Sequence, residues 1–230
     1  YDFKSKAKTL KATDLGKKAG LTPRYNHASL VFDNKMWILG GNLASEKLPK
    51  ESNDVLFSYN GAEWKNITEQ SNFPYRTLFG ATVFQDKMWI VGGFAKDVGP
   101  FSEHSKNDVW SSENGIEWKM VVPNAGFQKR FNHTLTAFNG SLWLIGGNGL
   151  NEKTNGYETL SDIWRSTDGF NWVKVTDNAP FGPRKSHASV VHDGKLWIVG
   201  GHALGLESFY GNDVWYTENG IEWTQATDNA

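Results

Sequence analysis

The chain has 230 residues, with 24 basic against 25 acidic side chains and a formal charge of −1. So balanced a composition excludes a broad cationic surface, and neither nucleic acid nor an anionic membrane surface is expected as a partner. Cysteine is absent, which removes disulfides, thiol nucleophiles and Cys-ligated metal. No apolar run approaches the ~18 residues that span a bilayer, so no membrane insertion is expected. The excesses are 11 Trp and 24 Gly.

In chain order, Tyr1–Ser5 reads as a degenerate strand. Thr9–Asp14 resembles Trp172–Asp177 without its Trp, followed by a linker. Four similar units come next. Each opens with an Arg (Arg24, Arg76, Arg130, Arg184), and sixteen residues later an apolar run ends in a Gly pair at Gly40, Gly92, Gly146 and Gly200. The pairs recur at intervals of 52, 54 and 54 residues, the period of a repeat architecture. A polar-Asp-apolar signal follows at Asp54, Asp108, Asp162 and Asp213, and ten residues beyond each Asp is a Trp. Only the interval from Gly pair to Asp varies, at 14, 16, 16 and 13 residues.

Each unit reads as four strands, A to D. Strand A is His27–Phe32 and its counterparts, and strand B is the Trp run into the Gly pair. Between them stand Asp33-Asn34, Gln85-Asp86, Asn139-Gly140 and Asp193-Gly194, pairs that tolerate the positive φ of two-residue hairpins. Strand C begins at the Asp. A turn such as Asn114-Gly115 or Asp168-Gly169 leads to strand D and its Trp. Strand B is apolar at consecutive positions, so both of its faces are buried. Four-stranded sheets buried on both faces and repeated every ~54 residues fit an all-β propeller. The units span about 20–69, 70–124, 125–178 and 179–230, in one domain over 1–230, with a partial C–D half blade at 1–19. The ring is expected to be a piece of a longer propeller, to close through a second chain by self-association at open sheet edges, or to be a small compact ring. The first two are preferred, because bare sheet edges invite pairing.

The order Arg, His-containing strand, aromatic-apolar-Gly-Gly, Asp-apolar-Trp, Trp resembles the kelch repeat of the galactose oxidase/kelch superfamily over residues 20–230. The variant at Thr167–Trp172 is similar to kelch proteins of bacteria. In an up-down blade, the A–B and C–D turns share one face, and the B–C and D–A connections share the other. Function is expected on the second face, where the variable loops lie. There the resemblance implies Arg24, Arg76, Arg130 and Arg184 as contacts for an acidic peptide. Their alternative is structural pairing with Asp54, Asp108, Asp162 and Asp213, and the sequence leaves both open, with pairing preferred.

His27, His133 and His187 follow three of these Arg, with Phe79 in the fourth place. They are candidates for ligand contact, but packing within the blade is the preferred reading, and no metal is expected. Asn42, Phe94, Asn148 and His202 follow the Gly pairs. With the loop aromatics Tyr157, Phe209, Tyr210 and Phe101 they could stack on and hydrogen-bond a glycan or an extended peptide. The Trp occupy equivalent repeat positions and read as packing between blades.

The resemblance carries no catalytic set. Galactose oxidase chemistry needs a Cys–Tyr crosslink, and there is no Cys. The iron motif of plant specifier proteins is matched by Glu158 and Asp162 but fails at Ser166. No cofactor is expected. A non-catalytic module for a protein, peptide or glycan is preferred. The alternatives are a small-molecule enzyme acting on an acidic sugar, as in sialic-acid epimerases, and a truncated or engineered propeller without natural ligand. The sequons at Asn66, Asn132 and Asn139 do not decide the compartment. An extracellular or periplasmic setting is preferred to a cytoplasmic one.

Overall fold

The computed structural model describes residues 20–44, 50–68, 70–96, 103–203 and 209–230. The expected half blade at 1–19 lies outside the described residues, as does Phe101. The strands are β1 (Arg24–Tyr25), β2 (Ala28–Phe32), β3 (Lys35–Leu43), β4 (Lys50–Ser58), β5 (Lys65–Thr68), β6 (Gly80–Phe84), β7 (Lys87–Phe94), β8 (Ser105–Ser112) and β9 (Lys119–Val122). They continue with β10 (Arg130–Phe131), β11 (Thr134–Phe138), β12 (Ser141–Asn151), β13 (Gly156–Ser166), β14 (Val173–Thr176), β15 (Ala188–His192), β16 (Lys195–Ala203), β17 (Phe209–Thr217) and β18 (Thr224–Thr227).

Four antiparallel meanders result: β2–β5, β6–β9, β11–β14 and β15–β18. We refer to them as blades 1 to 4. The A–B turns have left-handed φ at both central residues, for example 48° and 54° at Asp33 and Asn34, as the Asn/Asp/Gly chemistry requires.

Strands B and C run further than expected. The register shifts between Ile145 and Gly147, and pairing then resumes as far as Asn151↔Gly156. Gly146 and Gly147 take φ of 57° and 99°, so the Gly pair absorbs a bulge that bends the ladder without ending it. The B–C connection in blade 3 therefore shrinks to residues 152–155, and Tyr157 sits on a strand, not in a loop. Tyr210 and Phe209 likewise lie on β17.

The core lies between blades. One apolar cluster joins Trp37 and Leu39 of blade 1 to Met88 and Trp118 of blade 2. A second joins Trp89 and Val91 to Leu142 and Leu144, and a third joins Trp143 and Ile145 to Leu196 and Ile198. The strand-B Trp of blades 1 to 3 packs against the C–D turn glycine of the next blade: Trp37 on Gly115, Trp89 on Gly169 and Trp143 on Gly220. A Cβ at Gly169 would meet Trp89 Cζ3 at 2.1 Å, and φ there is +73°. Gly169→Ala is therefore expected to cost about 2–4 kcal/mol, combining overpacking with left-handed strain. Urea denaturation reads this loss.

The second residue after each repeat Arg links the blades through backbone. Leu78 donates to the Asn26 carbonyl at 3.2 Å, Asn132 to Leu78 at 2.9 Å and Ser186 to Asn132 at 2.9 Å. All four have left-handed φ, including 57° at the bulky Leu78. The inner strands pack in the order β2, β6, β11, β15.

Candidate functional site

The four repeat Arg leave the coil of the preceding connection and run back under strand B of their own blade. Each meets the Asp that follows in the same blade through two nitrogens. The distances are 2.7 and 2.9 Å for Arg24–Asp54, 2.9 and 2.8 Å for Arg76–Asp108, 2.7 and 2.7 Å for Arg130–Asp162, and 3.1 and 3.0 Å for Arg184–Asp213. Nη1 also donates to the first carbonyl of the Gly pair, at 3.1, 2.9, 3.0 and 2.9 Å in turn. The Nε of Arg24, Arg76 and Arg130 donates to the carbonyl two residues back, and Arg184 Nη2 donates to the Phe181 carbonyl. No repeat Arg side chain is more than 2% exposed.

The carboxylates are equally engaged. The strand-C Trp donates to Asp in three blades, at 2.7 Å from Trp110, 2.7 Å from Trp164 and 2.6 Å from Trp215. Blade 1 has Leu56 in that place, and Ser52 Oγ donates to Asp54 at 2.6 Å instead. Burial pushes the carboxyls of Asp108, Asp162 and Asp213 up, but the Arg charge and the Arg and Trp hydrogen bonds outweigh it and hold them low. Each guanidinium is thus held inside its own blade, tying the chain entry to strands B and C. These four side chains offer no free fork to a ligand.

The histidines sit between blades. His133 Nε2 lies 3.2 Å from both the Gly80 N–H and the Val91 carbonyl of blade 2, accepting from the first or donating to the second according to tautomer. His187 Nε2 pairs with Thr134 Oγ1 of blade 3 at 3.0 Å. Both are buried. Desolvation, with the neighbouring Arg130 or Arg184 charge added, lowers each to a pKa of about 3. His27 is lowered for the same reasons, by burial and by Arg24. No group of three metal-ligating side chains forms among the described residues.

The residues that change from blade to blade stand just beyond the Gly bulge. Asn42, Phe94, Asn148 and His202 pair across the ladder with Tyr25, Thr77, Phe131 and Lys185, the residue after each Arg. This second set was not singled out from sequence. Its signal is the position itself, which holds a different residue type in each repeat beside an unchanging Arg.

Asn42 reaches the next blade through Nδ2 to Thr77 Oγ1 at 3.2 Å. Phe94 packs on Phe131 of blade 3 at 5.0 Å and on His104 at 5.7 Å. Tyr157 lies edge-on to Phe131 at 5.0 Å, and its hydroxyl accepts from Ser105 Oγ at 3.2 Å. Asn148 is buried, and its Oδ1 accepts no hydrogen bond. In blade 4, His202 stacks on Tyr210 at 4.5 Å with the rings 13° apart, and Tyr210 is 83% exposed. Burial lowers the pKa of the neighbouring Lys185.

On the same face, a cleft of about 630 Å³ opens between the connection into blade 3 and its B–C hairpin. Asn107, Phe127, Lys129, Leu150 and Glu158 line it. Gln128 braces its wall, donating to the Leu150 carbonyl and to Glu158 Oε1, both at 2.8 Å. The face therefore offers partly exposed aromatic rings, amides and ammonium groups.

Comparison with known proteins agrees with this architecture. Residues 26–229 match the family model described as the KLHDC2/KLHL20/DRC7 Kelch-repeats domain. The chain is 25% identical to human Kelch domain-containing protein 3 over 233 residues, covering 92% of this chain and 59% of that protein. It is 30% identical to Kelch-like protein 40 of Xenopus laevis over 144 residues, 61% of this chain and 22% of the other. It is 25% identical to the leucine-zipper-like transcriptional regulator 1 homolog of Drosophila melanogaster over 194 residues, 79% and 19% of the two chains. The chain thus spans from about a fifth to under two thirds of these relatives. Among solved structures, that of YjhT superposes with a TM-score of 0.71 at 16% identity, covering 90% of this chain and 72% of the other, a likeness of fold. With the Arg–Asp–Gly latch in four blades and a family model matched from 26 to 229, the chain belongs to the kelch-repeat family.

Proposed function

We propose that the chain is a non-catalytic recognition module that takes an extended segment of a partner protein across the face bearing the ends of strands B and the starts of strands C. The observation that carries this reading is the stacked His202–Tyr210 pair. It is an aromatic surface left open to solvent beside Lys185 on a rigid ladder. Rigid aromatic side chains give large contact area at small entropic cost. A carboxylate of the partner would meet Lys185, not the four repeat Arg, whose side chains are buried against their Asp. Membership of the kelch family supports a protein partner.

The test is selection of a displayed random-peptide library on the immobilised chain, followed by titration of a selected peptide against variants. Tyr210→Ala is expected to weaken binding about 10-fold or more, in the range of an aromatic anchor. Its stability should change little, because the ring is exposed. Unchanged affinity in Tyr210→Ala and His202→Ala would refute the reading. A glycan could stack on the same Tyr210 ring, and a glycan array run with the same variants separates that reading from the first. A reaction on an acidic sugar called for free guanidinium groups at the mouth, and the four repeat Arg are buried.

A further inference from the structure

Asn107 precedes Asp108 on strand C of blade 2. Its Nδ2 donates inward twice, to Asn124 Oδ1 at 2.7 Å and to the Phe127 carbonyl at 3.0 Å. Gln128 Nε2 is committed in the same way, to the Leu150 carbonyl and to Glu158 Oε1. Every one of these partners is an acceptor, so the orientation of both amides is fixed. Among the described residues, the oxygens left over, Asn107 Oδ1 and Gln128 Oε1, accept no hydrogen bond. Both residues line the cleft between blades 2 and 3, although Asn107 is only 8% exposed. Asn53, its equivalent in blade 1, makes the same inward bonds, to the Ser71 and Phe73 carbonyls at 2.8 Å each, but its Oδ1 is closed off from solvent. Blade 2 differs in that a cleft opens at this place.

Glu158 completes the wall. Its Oε1 accepts from Gln128 and its Oε2 from Asn151 Nδ2 at 3.3 Å, so two amides hold the carboxylate in place. Among the described residues it forms no ion pair. The wall thus presents one fixed carboxylate and two fixed amide oxygens, all acceptors. Lys129, Lys153 and Glu152 also line the cleft. Two ammonium groups balance the two carboxylates, so a cation is favoured only in direct contact with Glu158. What the wall lacks is a group with several donors and a positive charge. A guanidinium carries five N–H donors in one plane and meets a carboxylate with two of them at once. We infer that this cleft takes an arginine side chain of the partner protein. Glu158 pairs with the guanidinium, and Gln128 Oε1 and Asn107 Oδ1 accept its remaining N–H groups. The inference rests on the reading of this face as a protein-recognition surface, and it adds an anchor at a different blade boundary from Tyr210. Blades 1 and 4 flank the two blades that form the cleft, which is therefore an internal feature of the described ring.

The test is an NMR titration of the whole nitrogen-15-labelled chain with a capped glycyl-arginyl-glycine amide, following the side-chain amide signals of Asn107 and Gln128. Both signals are expected to move and saturate together. The lysine counterpart of the peptide is expected to bind more weakly. The citrulline counterpart, which keeps the shape but loses the charge, is expected to bind about 10-fold more weakly, the scale of a hydrogen bond to a charged group. Glu158→Gln should weaken the arginine peptide by a similar factor. Glu158 is exposed, so the backbone spectrum of that variant should overlay on the parent's. Tyr210→Ala is expected to titrate as the parent does, which keeps a failure here distinct from a failure of the recognition reading at blade 4. The inference is overturned by amide signals that stay still, or by equal affinity for the lysine or citrulline peptide. It is equally overturned by an unchanged titration in Glu158→Gln, by a loss in Tyr210→Ala, or by methyl glycosides that move these signals where the arginine peptide does not.

Discussion

Arg130→Ala is expected to lower the unfolding free energy by about 3–5 kcal/mol, the range for removing one partner of a buried ion pair. The size follows from what is left behind. Asp162 would stay buried with only the Trp164 indole donating to it, and the Gly146 and Gln128 carbonyls would each lose a donor. Uncompensated buried charge is costlier than the pair itself. Arg130→Met with Asp162→Leu should therefore recover part of the loss but not all, because the two carbonyls remain without partners. Urea denaturation reads both effects. The fraction that remains folded should still bind a selected peptide as the parent does.

Acid should weaken the chain in two separate windows. His133 and His187 titrate at about 3 when folded and near 6.5 when unfolded. As pH falls below 6.5 the unfolded chain takes up protons that the folded chain refuses, so stability drops until the folded groups protonate. At pH 5 the loss is about 2 kcal/mol for each histidine. Asp108, Asp162 and Asp213 are held low when folded. Their contribution is full above the ordinary carboxylate range and is lost as pH falls through it to the folded values. The window between pH 6.5 and 4 therefore belongs mainly to the histidines. Denaturation curves at pH 7, 6 and 5 should show a slope that His133→Gln reduces by about a third to a half, since His27 is lowered as well. A flat profile over that range would show that neither imidazole is held neutral by the blade boundary.

The fold was legible because a repeat shows its constraints several times over. Four Gly pairs, each sixteen residues after an Arg, placed strands A and B, and the Asn/Asp/Gly turn pairs took the left-handed φ expected of them. The Trp were readable as packing for the same reason. What spacing did not give was the end of each strand. Gly146-Gly147 looks like a stop in a linear pattern, yet two left-handed glycines can bulge a ladder and let it continue. That hid the strand positions of Tyr157 and Tyr210.

The site was legible only in part. The sequence put Arg and Asp at matched intervals but held no distance between them, so pairing and ligand contact stayed open until the 2.7 Å contacts of Arg130 and Asp162 were seen. The histidines were expected to act within a blade. His133 and His187 instead reach the preceding blade, a relation that spacing along one chain does not express. The cleft beside Lys129 arises from the connection into blade 3 meeting the hairpin after β12, two segments that carry no shared motif.

A double-mutant cycle on Arg130 and Asp162, read by urea denaturation, bears most directly on the claim that the repeat Arg hold the blades and leave recognition to the residues beside them. Each single alanine variant is expected to lose several kcal/mol, and the double variant about 2–3 kcal/mol less than the sum of the two. That is a coupling of about 2–3 kcal/mol, the upper range for residues in direct contact. Additive losses, or an Arg130→Ala chain as stable as the parent that no longer binds a selected peptide, would contradict it.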